Sequence, residues 1–136
     1  MAEEYTTYGN DAERKNFIIH YPSIPEEELA PGAFSHLVAG EQAVVSLLTM
    51  KAGTYFPVHQ HEAEQIMIVL DGFIEQIIDG KLYPARKGDV LVLPSNIPHG
   101  GYVREETTVV DVFAPCLLYT SPSPRDAPLA RMPASA

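Results

Sequence analysis

The sequence predicts an all-β fold, a sandwich or small barrel in one domain, and three observations carry that prediction. Short apolar runs follow one another from Phe34 to Pro115. Gly, Pro and Asp-Gly pairs punctuate them, and no long stretch carries helical periodicity. At 136 residues the chain is long enough for one domain with a modest core.

Taken in order, residues 1–15 read as an N-terminal arm, charged and without periodicity. NFIIHY (16–21) reads as an edge strand. IPEEELAPG (24–32) reads as one or two helical turns, with Pro25 early, acids favouring the N-terminal dipole and Pro31-Gly32 as the stop. FSHLVAG and QAVVSLLTM are strands flanking Gly40-Glu41. EQIMIVL and FIEQIID read as a hairpin closed at Asp71-Gly72, and Asp79-Gly80 makes a second tight turn into KLYPA. GDVLVL, GGYV and TTVVDVFAP complete the set. The predicted domain covers residues 16–115.

Composition narrows the partners. Apolar residues make up 46% of the chain, and Gln, Asp, Gly or Pro interrupts every apolar run, so no transmembrane helix and no membrane partner is expected. MAEEYTTYGND is polar and acidic, unlike a signal peptide. The single Cys116 forms no internal disulfide, which fits a cytoplasmic location. A net charge of −9 argues against nucleic acid. The tail, residues 116–136, has four prolines and no strand alternation, and reads as disordered or non-native. Residues 116–126, CLLYTSPSPRD, resemble a translated sequencing adapter.

The chemistry gathers in two stretches. GTYFPVHQHEAEQIMIVLDG (53–72) holds His59 and His61, which share a face in an extended strand, as do Gln65, Met67 and Val69 if the strand runs through. The intervening EAE is expected to bend it. GDVLVLPSNIPH (88–99) adds His99. Three neutral imidazoles and one oxygen donor suit a divalent metal, and Glu62 and Glu64 are rival oxygen donors. Asp111 and Phe113 share one face of the last strand, opposite Val110 and Val112. Asp111 is either a general base or a solvent-facing acid. His20 and His36 receive no role, and Lys51, Arg86 and Lys87 read as turn charges.

These stretches resemble the two motifs of the cupin superfamily, G-x5-H-x-H-x3-E-x6-G and G-x5-P-x-G-x2-H. Gly53, His59, His61, Gly72, Gly88, Pro94 and His99 fall on them. Gln65 stands where Glu is usual, and Asn96 where Gly is usual. The resemblance implies a jelly roll, or double-stranded β-helix barrel. HQHEAEQIMIVLDG, IPHG and VVDVFAP are similar to the small KdgF-type cupins, which ketonise unsaturated uronates from pectin and alginate. That resemblance covers roughly residues 24–115. It implies one divalent metal ion (Ni, Zn, Fe or Mn) on His59, His61, Gln65 and His99, with Asp111 and Phe113 catalytic. Where that family continues with an Arg-containing segment, Cys116 onward stands instead.

The function expected is metal-dependent conversion of 4,5-unsaturated uronates to linear keto sugar acids. The small-molecule substrate is thus a sugar acid, and the protein a homodimer. The alternatives are a metal-dependent dioxygenase or lyase on another small molecule, or a non-enzymatic sensing cupin.

Overall fold

A computed structural model of the chain describes residues 7–115. The expected tail at 116–136 lies outside the described residues. Ten strands build two sheets: β1 (Glu27–Ala30), β2 (Ala33–Ala39), β3 (Val44–Met50), β4 (Tyr55–His59), β5 (Glu64–Asp71), β6 (Phe73–Ile78), β7 (Lys81–Arg86), β8 (Val90–Leu93), β9 (His99–Val103) and β10 (Thr107–Ala114). The larger sheet has the order β1-β2-β3-β10-β5-β8 and the smaller β4-β9-β6-β7, with antiparallel neighbours throughout. The fold is all-β and jelly-roll-like, as expected.

Alternation places the core. In β3 and β10 every second residue is buried, which turns Val44, Leu48, Met50, Val109 and Phe113 inward. Leu48, Met50, Val69 and Val109 of the larger sheet belong to one apolar cluster with Phe56, Ile74, Ala85 and Val103 of the smaller. The Leu, Met, Val, Phe and Ile side chains of the cluster contribute roughly 1.5–3 kcal/mol each on burial.

Three local expectations are corrected. Within residues 24–32, Glu27–Ala30 form strand β1 rather than helical turns, because pairing of Glu27 with Ser35 and Glu28 with Phe34 across the Pro31-Gly32 turn overrides local propensity. NFIIHY is no strand. The Phe17 and Ile18 amides both donate to Arg14 O, and Tyr21–Ser23 curl into a 3-10 turn around Pro22. Upstream lies a short helix α1 (Asp11–Arg14), whose ends Asn10 and Glu13 cap each other reciprocally.

The third correction is at Asp71-Gly72, which does not close a hairpin. β5 already has β10 and β8 on its two sides, so the chain leaves for the other sheet and β6 pairs with β7 and β9. Gly72 makes the step at φ 102, where a Cβ would run into Thr107 and the Glu106 carbonyl. Thr107 Oγ1 accepts from the Phe73 amide at 3.1 Å and pins the crossing. Asp79-Gly80 is the true two-residue hairpin. Both residues have positive φ, 50° and 83°, as a type I′ turn requires, and Ile78 faces Lys81. Gly72→Ala combines a forbidden backbone with a collision, so it should lose more than about 3 kcal/mol in urea denaturation. Gly80→Ala, whose Cβ meets nothing, should lose less.

Candidate metal centre

The strand ends bring three histidines together. His59 ends β4 and His99 opens β9, and the two are directly paired in the smaller sheet. His61 sits in the bend where the chain passes to β5, so the expected break at EAE is real. The second motif is tied to that bend, because the Asn96 amide donates to His61 O at 2.8 Å. Asn96 has φ 63, the left-handed conformation that Asn tolerates in place of Gly.

The tautomers follow from the backbone. Nδ1 of His59, His61 and His99 each lies 2.8 Å from a carbonyl two residues away, at Pro57, Ala63 and Ile97. A carbonyl only accepts, so each Nδ1 carries the proton and each Nε2 keeps its lone pair. This is the support that metal-ligating histidines ordinarily receive. The nitrogens the three rings offer lie within 4.8 Å of one another. His99 Nε2 is buried and has no partner.

Gln65 adds an oxygen to the set. Its Nε2 donates to Asp111 Oδ1 at 3.0 Å, which turns Oε1 towards His61 Nε2 at 3.3 Å. Two acceptors then face one another inside the barrel, an arrangement that a cation between them would satisfy. These donors fit a divalent ion. The histidines could hold one, and identity among Ni, Zn, Fe and Mn is left open by the donor types.

Burial sets the protonation. It lowers His99 to about 4, against the opposing bond to Ile97 O and with help from the neighbouring His59 and His61. Burial lowers His59 also, with the bond to Pro57 O opposing. Both rings are therefore neutral near pH 7, the form that ligates. Burial raises Asp111 from 3.8 to about 7, with the Gln65 amide pulling the other way. Asp111 is fully buried and its Oδ2 has no partner.

The remaining expected residues separate cleanly. Gln65, Met67 and Val69 do share the inward face of β5. Asp111 and Phe113 share the inward face of β10, where Phe113 is paired with Gln65 and its ring stands edge-on to His61 at 5.8 Å. The solvent-facing alternative for Asp111 thus falls away. Glu62 and Glu64 are exposed, so neither rival donor turns inward. His36 binds Ile24 O at 2.6 Å, away from the cluster. Arg86 lies over the Phe73 ring at 3.9 Å. Among the buried polar residues that the sequence reading did not single out, Gln76 of β6 stands apart, because its Oε1 is unpartnered. Its inward parity with Ile74 was the available signal.

Comparison with known proteins agrees with this geometry. A family model described as "Cupin domain" matches residues 46–113, half of the chain. KdgF from Halomonas sp. superposes with a TM-score of 0.66 at 27% identity, over 73% of this chain and 92% of that one. An RmlC-like cupin from Shewanella frigidimarina gives 0.68 at 18% identity, over 76% and 97%. A mutant of salicylate 1,2-dioxygenase from Pseudoaminobacter salicylatoxidans gives 0.62 at 18% identity, over 67% and 29%. These last two establish the fold alone. Among curated proteins, dimethylsulfoniopropionate lyase DddQ from Ruegeria pomeroyi is 38% identical over 64 residues, 45% of this chain. The match spans 31% of that relative's length. The motif histidines, the barrel and the family match coincide: the chain belongs to the cupin-domain family.

Proposed function

We propose that the protein is a metal-dependent enzyme that converts 4,5-unsaturated uronates into linear keto sugar acids. The observation that carries this reading is the chain His61–Gln65–Asp111. A carboxylate with one free oxygen is held behind the ligand set by the amide that completes that set. Likeness to KdgF at 27% identity, and the DVF stretch at Asp111-Val112-Phe113, support the substrate.

The reaction is an isomerisation. The anomeric hydroxyl loses its proton, the C1–O5 bond breaks to give the aldehyde and the C5 enolate, and C4 is protonated to give the ketone. No net proton is consumed. A bound divalent ion supplies Lewis-acid polarisation of substrate oxygens. Asp111 takes the hydroxyl proton and returns one to C4, and its contact with Gln65 fixes where Oδ2 points. Phe113 walls the site beside His61 and keeps water from the enolate. Gln65 is a neutral donor, so His59, His61, Gln65 and His99 leave the ion's charge undiminished towards an anionic substrate. Loss of the ring double-bond absorbance on incubation with an unsaturated monouronate tests the reading, and an unchanged absorbance with metal-loaded protein overturns it.

A lyase reading is favoured by one observation, the 38% identity to the dimethylsulfoniopropionate lyase. Asp111 would then abstract a proton beside a carboxylate, and release of dimethyl sulfide distinguishes the two.

The same reading includes a cytoplasmic homodimer. Across the outer face of the larger sheet, register aligns Val38, Val45, Val112, Ile66 and Val92 in one row. Leu47, Val110, Ile68 and Val90 align in the next. No Asp, Glu, Lys or Arg lies in these rows, although His36 of β2 continues the second beyond Leu47, and in a chain of net charge −9 this face brings two copies together with the least repulsion. Val90 and Val92 are 57% and 56% exposed, so Val90→Lys/Val92→Lys should leave the fold intact. We expect it to halve the mass seen by light scattering, and an unchanged mass overturns the proposed interface.

A further inference from the structure

Among the described residues, three buried side-chain atoms lack a hydrogen-bond partner: His99 Nε2, Asp111 Oδ2 and Gln76 Oε1. All three belong to inward-facing positions of β9, β10 and β6. The first two belong to the centre described above. The third is not explained by it.

Register places Gln76. Ile78 is paired with His99 and Gln76 with Gly101, so Gln76 lies one inward step along β6 from the histidine pair. The next inward position is Ile74, which packs in the apolar cluster with Val103 and Ala85. Gln76 thus stands between the ligand layer and the core. Its diagonal relation to His99 is within reach of a long side chain. The carboxamide leans over β9. A Cβ built on Gly101 would sit 3.3 Å from Gln76 Oε1, from the Glu75 carbonyl and from Ile74 Cδ1, so the amide oxygen packs against the bare glycine.

A buried amide oxygen without a donor costs roughly 1–3 kcal/mol. Ile74 and Ile78 show that an aliphatic side chain is accommodated on the same face of the strand. The uncompensated acceptor is therefore a feature of a site that a ligand completes. An acceptor is completed by an O–H or N–H donor.

We infer that Gln76 binds a hydroxyl of the substrate, and that the centre selects a hydroxylated carboxylate over an acid that carries no donor. The inference deepens the uronate reading and rests on it. It also separates that reading from the lyase one, since dimethylsulfoniopropionate has no O–H or N–H.

Gln76→Leu tests this in metal-loaded protein. The variant should raise KM for the unsaturated monouronate about tenfold, with kcat within about threefold and metal content unchanged, as expected for one lost hydrogen bond. Its melting temperature should equal or exceed that of the wild type, because an unsatisfied buried acceptor is removed. A lower melting temperature with unchanged KM would assign Gln76 a structural role and overturn the inference. Should the wild type leave the uronate unconverted, calorimetric titration with a saturated hexuronate and with dimethylsulfoniopropionate decides separately. A preference for the hexuronate that Gln76→Leu abolishes sustains the inference without ketonisation. Equal binding of the two probes, or binding of neither, overturns it.

Discussion

Protein purified without chelator should carry about one divalent ion per chain, and His99→Ala should retain less than about a tenth of it by elemental analysis. The effect is large because the site has no substitute for this nitrogen. Glu62 and Glu64, the acids that follow His61 in sequence, face solvent. His61→Ala should do the same, since it removes the ring that lies 3.3 Å from Gln65 Oε1. Gln65→Glu should keep the ion, because a carboxylate oxygen replaces an amide oxygen in the same place. It should also lower turnover, by placing a negative charge beside the ion and beside Asp111. Full metal content in both histidine variants would remove the three-histidine assignment.

Asp111→Asn should reduce ketonisation by about 10²–10⁴ while metal content stays at the wild-type level. The amide oxygen of Asn still accepts from Gln65, so the geometry survives and only the proton carrier is lost. A rate within threefold of the wild type would leave Asp111 as a positioning partner of Gln65 and no more. Metal-free protein gives a second readout. Burial holds Asp111 up to about 7 from its ordinary 3.8, so between those values the folded chain keeps a proton that the unfolded chain has released. Its contribution therefore makes stability fall as pH rises through that window. His99, lowered to about 4 from 6.5, tilts stability the other way, rising with pH. The difference between wild type and Asp111→Asn isolates the acid: the variant should gain relative stability as pH rises from about 4 to about 7.

The parts of this molecule that spacing determines were readable in the sequence. His59, His61 and His99 lie at motif distances, Asn96 takes the left-handed turn, and Asp79-Gly80 closes a hairpin because nothing but its two flanking strands competes there. Asp71-Gly72 carries the same dipeptide and does the opposite. Its outcome depends on β8 and β10, distant in sequence, which already occupy both edges of β5. The Glu-rich stretch at 24–32 was misread for the same reason, since pairing with β2 is invisible locally. Within the site, the parity of Gln65, Met67 and Val69 was legible. Strand parity does not reach His61, because it lies in the bend between β4 and β5, and motif spacing is what groups it with His59 and His99. Gln76 was not singled out, although its parity with Ile74 turns it inward while its neighbour Glu75 takes the other face.

The step at Gly72 and the bend around His61 have a mechanical consequence. His59 and His99 belong to the smaller sheet, whereas Gln65 belongs to the larger. An ion held by all of them would join both walls of the barrel, adding a cross-link to the one the chain already makes through residues 60–63 and the Asn96 amide makes to His61 O. Loading should therefore slow amide exchange most where the two walls meet, at the ends of β4, β5 and β9, and leave the outlying β1 and β7 as they were.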